Sequence, residues 1–154
     1  MNLTTAQAIM SNYPKSIIIT GCASGIGLAL TKYFAEQGHK IAVLDVNASQ
    51  GPKIIQAVQD QYPDSKLTFR KCDVSSWEEQ ASVFKEINDL HGGIDIVMAN
   101  AGLSDRGANS ITVLDEDEPR KPELVTVNVN LVGVLYSEYT EKCNSGKGTD
   151  WEQR

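Results

Sequence analysis

Apolar residues in this chain gather in short uninterrupted runs, each leading through a turn into a segment with helical periodicity. Ile17, Ile18 and Ile19 sit in the first run and Ile41, Ala42, Val43 and Leu44 in the second, while the more mixed stretches 66–70 and 94–98 are predicted as the third and fourth strands. Runs this short, bounded by glycine or polar residues, predict strands buried on both faces. Three helices are predicted after the first three of them. The first covers residues 25–37 and stops at Gly38. The second, 49–61, sets Ile54, Ile55 and Val58 on one face and ends near Pro63. The third runs from a cap at Ser75 or Ser76 to Leu90, with Glu78 and Glu79 at its positive end and Gly92-Gly93 closing it. Strands alternating with helices predict an α/β chain: a doubly wound parallel sheet in the order 3-2-1-4, with a ligand crevice where strands one and four diverge.

One segment opposes that simple reading. Val125-Thr126-Val127-Asn128-Val129-Asn130-Leu131 alternates with period two and is rich in β-branched residues, which by itself reads as a strand. Pro122-Glu123 just before it reads as a helix start.

Thr20-Gly21-Cys22-Ala23-Ser24-Gly25-Ile26-Gly27 joins the first strand to the first helix. A glycine-rich turn in that position suits a phosphate. Glycine lets the backbone turn tightly and come close, and the helix N-terminus offers unpaired N–H groups and a positive dipole end. The spacing is G-x-x-x-G-x-G; Leu30 stands where the last glycine of G-x-G-x-x-G would be. A side chain at Gly25 or Gly27 is expected to fill the space of a pyrophosphate and so to harm binding more than folding. Asp45 ends the second strand about 20 residues beyond the turn, a place from which an acid bonds the adenosine ribose hydroxyls. Its charge would repel a 2′-phosphate, so NAD is expected in preference to NADP. Capping a loop is the other use an Asp finds there.

With three further motifs, the chain resembles the short-chain dehydrogenase/reductase family, nearest the branch of 15-hydroxyprostaglandin dehydrogenase-like enzymes. Residues 20–27 match its fingerprint T-G-x-x-x-G-I-G, which assigns Thr20, Gly21, Ser24, Gly25, Ile26 and Gly27 to the cofactor site. Asp73-Val74 matches the Asp-Val after the third strand, and Asn100-Ala101-Gly102 the Asn-Ala-Gly after the fourth. Asn130-Leu131-Val132-Gly133 matches a helical Asn-Leu-x-Gly. The resemblance implies a Rossmann-type fold and a helix at 125–131, which the Pro122 signal supports. It also implies hydride transfer between NAD(P)(H) and a secondary alcohol or ketone.

In that family a Tyr-x-x-x-Lys helix moves the proton, a serine orients the substrate oxygen, and an asparagine holds a water of the relay. Only the asparagine has a counterpart, Asn130, with Asn128 as competitor. Tyr62 and Lys66 have the spacing, but they precede the third strand and enclose Pro63, so they read as a coincidence in a turn. Tyr139 and Lys142 stand three apart, and Ser145-Gly146-Lys147 lacks the surroundings of a P-loop. No buried-strand run follows Tyr136. The expected organisation is an N-terminal extension at 1–14, a dinucleotide-binding domain with an incomplete C-terminal half at 15–136, and a divergent polar tail at 137–154. A truncated or mis-spliced product is the expected origin. The family implies a homo-oligomer, which the missing half puts in doubt.

Three functions compete. The first is an oxidoreductase of this family without its Ser-Tyr-Lys part. The second is a non-catalytic dinucleotide-binding fragment or interaction module. Methyl transfer from S-adenosylmethionine is a distant third, because it does not account for Asp73-Val74 or Asn100-Ala101-Gly102.

Bulk properties narrow the partners. A net charge of −6 over 154 residues argues against nucleic acid. No apolar run spans a membrane, and Met1 to Pro14 shows no signal peptide, so the cytoplasm is the default and the Asn-x-Ser/Thr matches at Asn2 and Asn47 carry no meaning. Cys22, Cys72 and Cys143 form no C-x-x-C, so neither a disulfide framework nor a zinc site is expected. His39 and His91 stand beside glycines and read as solvated turn residues. Asp115-Glu116-Asp117-Glu118, followed by Arg120-Lys121, reads as a solvated charged loop.

Overall fold

In the computed structural model, residues 13–104 and 121–144 are described. The acidic stretch 115–118, Arg120 and the Ser145-Gly146-Lys147 segment lie outside them. β1 (Ser16–Thr20), β2 (Lys40–Asp45), β3 (Lys66–Lys71) and β4 (Ile96–Met98) form one parallel sheet in the expected order β3-β2-β1-β4. Ile17 pairs with Ile41 and Ile96, and Val43 pairs with Phe69.

Successive side chains of a strand leave opposite faces. Ile17, Ile19, Ile41 and Val43 therefore enter one core, against Ala35 of α1 (Gly25–Glu36) and Ile54 and Val58 of α2 (Gly51–Gln59). Ile18, Ala42 and Leu44 enter the other, against Phe84 and Ile87 of α3 (Trp77–His91). Burial on both faces explains why β1 and β2 read as continuous apolar runs. β4 begins at Ile96 rather than Ile94, because Asp95 is engaged with Ser16: its N–H donates to Ser16 O at 2.9 Å and its carboxylate accepts from Ser16 N at 2.8 Å.

The helix expected at 49–61 divides into a 3₁₀ turn, Ala48–Gln50, and α2. α3 starts as expected, with Ser76 Oγ accepting from Glu79 N at 3.2 Å. Past the undescribed segment the chain is helical: α4 (Val125–Val127), a π-type turn at Asn128–Val132, and α5 (Gly133–Asn144). The strand-like alternation of 125–131 marks no buried face, since Val127 and Leu131 stay exposed. The segment is helical all the same, continuous with the helix that packs on α3, and it begins at Val125, not at Pro122. It also continues past Tyr136, with Ser137 and Thr140 buried.

The two histidines are not free turn residues. His39 Nδ1 accepts from Lys15 N at 3.1 Å, and His91 Nδ1 shares a 2.8 Å hydrogen bond with Ser16 Oγ. Burial first, then the charge of Lys40, pushes the pKa of His91 below its ordinary 6.5. The unfolded chain therefore binds a proton that the native chain disfavours. Stability should fall as pH drops below 6.5 and level off beneath the lowered native pKa. Urea midpoints taken from about pH 8 to about pH 5 should fall for the parent and fall less for His91→Gln; identical profiles would contradict this linkage.

Candidate functional site

The segments that follow the four strands meet at one end of the sheet and enclose a cleft of about 700 Å³. That volume lies within the range of small-molecule and cofactor sites. Gly21, Ser24, Gly25 and Ile26 line it after β1, Asp45 and Asn47 after β2, Asp73 and Val74 after β3, and Asn100, Ala101 and Gly102 after β4. Val125 and Val129 close the far side. Most of the residues expected at a cofactor site therefore share one cavity. Thr20, Gly27 and Asn130 are not among its lining.

Their positions show what they do instead. Thr20 is buried, and its Oγ1 accepts from Asn100 N and Ala101 N, each at 3.0 Å. Asn100 Nδ2 returns a bond to Thr20 O at 2.9 Å, so the ends of β1 and β4 are tied together. Gly21, with φ +71°, lies against the same loop; a Cβ on it would stand 2.7 Å from Ala101 Cα. Gly27 is a packing glycine. A Cβ there would stand 2.2 Å from Gly21 O and 2.8 Å from Asn100 Nδ2, so the expectation that Gly27 chiefly clears space for a ligand is corrected. Gly25 is the opposite case: its φ is +55° and a Cβ on it would meet nothing within 4 Å.

α1 carries no side-chain cap and no acidic residue in its first turn, although Ser24 occupies the cap position. α3 satisfies its own start with Ser76, Glu78 and Glu79. The first turn of α1 therefore faces the cleft with no side-chain cap and no acid of its own, which suits an anion. Asp45 stands at the lip, partly exposed. Its Oδ2 accepts from Ala23 N at 2.7 Å and its Oδ1 from Asn47 N at 2.9 Å, which fixes the carboxylate while leaving further lone pairs free.

Asp73 is held likewise. Its Oδ1 accepts from the Ser75 hydroxyl at 2.7 Å and from Ser75 N at 2.9 Å. The hydroxyl first, then the N–H and the charge of Lys71, hold its carboxyl below the usual carboxylate range. Two anionic carboxylates thus border the cleft, and no lysine or arginine lines it among the described residues. Cys72 also reaches it, but burial and then Glu79 push its thiol up to about 12, so it is no nucleophile at neutral pH.

Asn130 is exposed on the π-type turn. Its Oδ1 accepts from Leu103 N and its Nδ2 donates to Leu103 O, both at 2.8 Å, which pins the loop after β4. Tyr136 and Tyr139 pack on Trp77, at ring distances of 5.5 and 5.7 Å, and Lys142 pairs with Glu138 at 3.8 Å. Tyr62 and Lys66 share no helix: Lys66 opens β3.

Sequence reasoning missed two contributors. Glu79, read only as a helix-start acid, accepts from Asp73 N at 2.9 Å and from Lys71 Nζ at 2.9 Å. Its Ser-x-x-Glu spacing from Ser76 is the signal that it folds back over the helix start. Gln80 was not singled out. A polar residue in the 80, 84, 87 stripe of an otherwise apolar helix face was the available clue.

A model of the short chain dehydrogenase family matches residues 15–141 of this chain. A short-chain dehydrogenase/reductase of Acremonium egyptiacum, ascJ, is 36% identical over 124 residues, covering 80% of this chain and 39% of that protein. The 15-hydroxyprostaglandin dehydrogenase [NAD(+)] of Rattus norvegicus is 30% identical over 139 residues, covering 87% of this chain and 47% of that protein. The chain thus spans less than half the length of these curated relatives. In fold it is similar to a metagenomic short-chain oxidoreductase solved in complex with NADP, with a TM-score of 0.73 at 18% identity, covering 86% of this chain and 57% of that one.

Proposed function

The chain belongs to the short-chain dehydrogenase family, and from that premise we propose that it holds a nicotinamide dinucleotide, NAD in preference to NADP, as the cofactor-binding part of an oxidoreductase acting on secondary alcohols and ketones. One observation carries the reading. The uncapped start of α1, Asp45, Asp73-Val74 and Asn100-Ala101-Gly102 converge on a single cleft. The open space at Gly25 fits a group brought close to the backbone.

In this reading the N–H groups of the first turn of α1 hold the pyrophosphate, and Asp45 accepts from the adenosine ribose hydroxyls. The base lies on the β3 side, against Val74 and Asp73, and the loop after β4 borders the opposite end. Thr20, Asn100 and Gly27 keep β1, β4 and α1 close enough for these groups to converge. Asn130 orders Leu103 and, by resemblance, serves the relay. Bound there, a nicotinamide dinucleotide would accept or donate hydride. Proton transfer to a substrate oxygen needs a positioned acid, and neither Tyr136, Tyr139 nor Lys142 faces the cleft. A cytoplasmic location belongs to the same reading, since Cys22, Cys72 and the exposed Cys143 are free thiols.

A non-catalytic dinucleotide-binding module is the second reading, favoured by the absence of a tyrosine–lysine pair at the cleft among the described residues. NADH fluorescence titration beside a turnover assay on secondary alcohols tests both. The 154-residue chain should bind NADH and show no turnover. Turnover at enzymatic rates would remove the second reading, and an absence of binding would remove both.

A further inference from the structure

Gln80 is wholly buried on the face of α3 that also carries Phe84 and Ile87. Its amide is fully used. Nε2 donates to Val74 O at 2.6 Å and to Gly133 O at 2.9 Å, while Oε1 accepts from Ser137 Oγ at 2.9 Å. Two carbonyls cannot bond one another, and a primary amide placed between them supplies a hydrogen to each. One carbonyl belongs to the loop that walls the β3 side of the cleft, and the other to the first residue of α5. Close packing reinforces the link. A Cβ on Gly133 would stand 3.0 Å from Val74 Cγ2 and 3.1 Å from Val74 O.

We propose that Gln80 is a positioning residue for the base-binding wall of the cleft, setting Val74 by tying its carbonyl to α5. The proposal rests on the dinucleotide reading above. With Asp45 marking the adenosine ribose and the start of α1 the pyrophosphate, the loop after β3 is the wall left for the base. Nothing else at position 80 does the same work. An apolar side chain removes the donor to Val74 O and cuts its link to Gly133 O, which keeps the Ser137 hydroxyl, and a carboxylate, which only accepts, repels both carbonyls. Val74 touches the ligand; Gln80 acts through it.

The test compares the parent, Gln80→Met and Gly133→Ala in NMR titrations with 5′-AMP, inorganic pyrophosphate and NAD, at temperatures where circular dichroism shows each protein fully folded. Binding of 5′-AMP and of NAD should weaken about tenfold in both variants, with pyrophosphate affinity unchanged. Gly133→Ala keeps every donor in place and displaces Val74 from the helix side, so it tests the step on which Gln80 depends. If base affinity does not follow Val74, Gln80, which acts through it, has no positioning role even if Gln80→Met does not fold. Folded variants that bind 5′-AMP like the parent, or that lose pyrophosphate in equal measure, would overturn the positioning role and leave the dinucleotide reading intact. A parent that binds neither 5′-AMP nor NAD would overturn that reading and this inference with it.

Discussion

Gly27→Val is expected to lower the melting temperature sharply, whereas Gly25→Val is expected to abolish NAD binding at a much smaller cost in stability. At Gly27 the new Cβ would stand 2.2 Å from the Gly21 carbonyl oxygen, a backbone atom that cannot rotate away. α1 would have to lift from the end of β1. The Asn100 amide, 2.8 Å from the same Cβ, would be displaced from its bonds to Thr20 O and Gly21 O. Overpacking of this kind costs about 3 kcal/mol, or roughly 10 °C for a domain of this size. At Gly25 the cost is the left-handed backbone alone, about 1–2 kcal/mol for a residue with a Cβ. The valine side chain would then stand in open space where the pyrophosphate belongs. Thermal melts with matched NAD titrations separate the two. A Gly27→Val protein that melts like the parent, or a Gly25→Val protein that binds NAD like it, would contradict these assignments.

Asp45 should make the chain bind NAD more tightly than NADP. Two unit charges about 4 Å apart at an effective dielectric near 20 repel by roughly 4 kcal/mol. Asp45 is partly exposed, so solvent and salt reduce this to an expected ratio on the order of tenfold to a hundredfold in Kd. The surroundings give a 2′-phosphate nothing in compensation: Asp73 adds a second negative charge, and no cation lines the cleft among the described residues. Asp45→Asn keeps the shape and one acceptor while removing the charge, and should bring the two dissociation constants close together. Equal constants in the parent would remove Asp45 from the ribose.

Much of the fold was legible because β1 and β2 are buried on both faces, so Ile17 to Ile19 and Ile41 to Leu44 announce themselves without any knowledge of their neighbours. The parallel order followed from the alternation of strands and helices. The misleading segment was 125–131, where alternation of β-branched residues describes no buried face. The helix that continues it packs on α3 and brings Gly133 close to Val74, contacts that local pattern cannot express. The site was legible as a set of motifs but not as a division of labour. Nothing in the spacing of Gly25 and Gly27 tells which one faces the ligand and which the carbonyl of Gly21. That Thr20 serves Asn100, that Asn130 grips Leu103, and that Gln80 joins Val74 to Gly133 are relations between residues remote in the chain, visible only once the elements are packed.

The most direct measurement is an amide-resolved NMR titration of the protein with NAD. Binding across the ends of the strands predicts saturable shifts at Gly21, Ser24 and Gly25, at Asp45 and Asn47, at Asp73 and Val74, and at Asn100 to Gly102, while His91 to Asp95 at the opposite end of the sheet stay still. Shifts confined to that opposite end, or none at millimolar NAD, would contradict a dinucleotide site in this cleft.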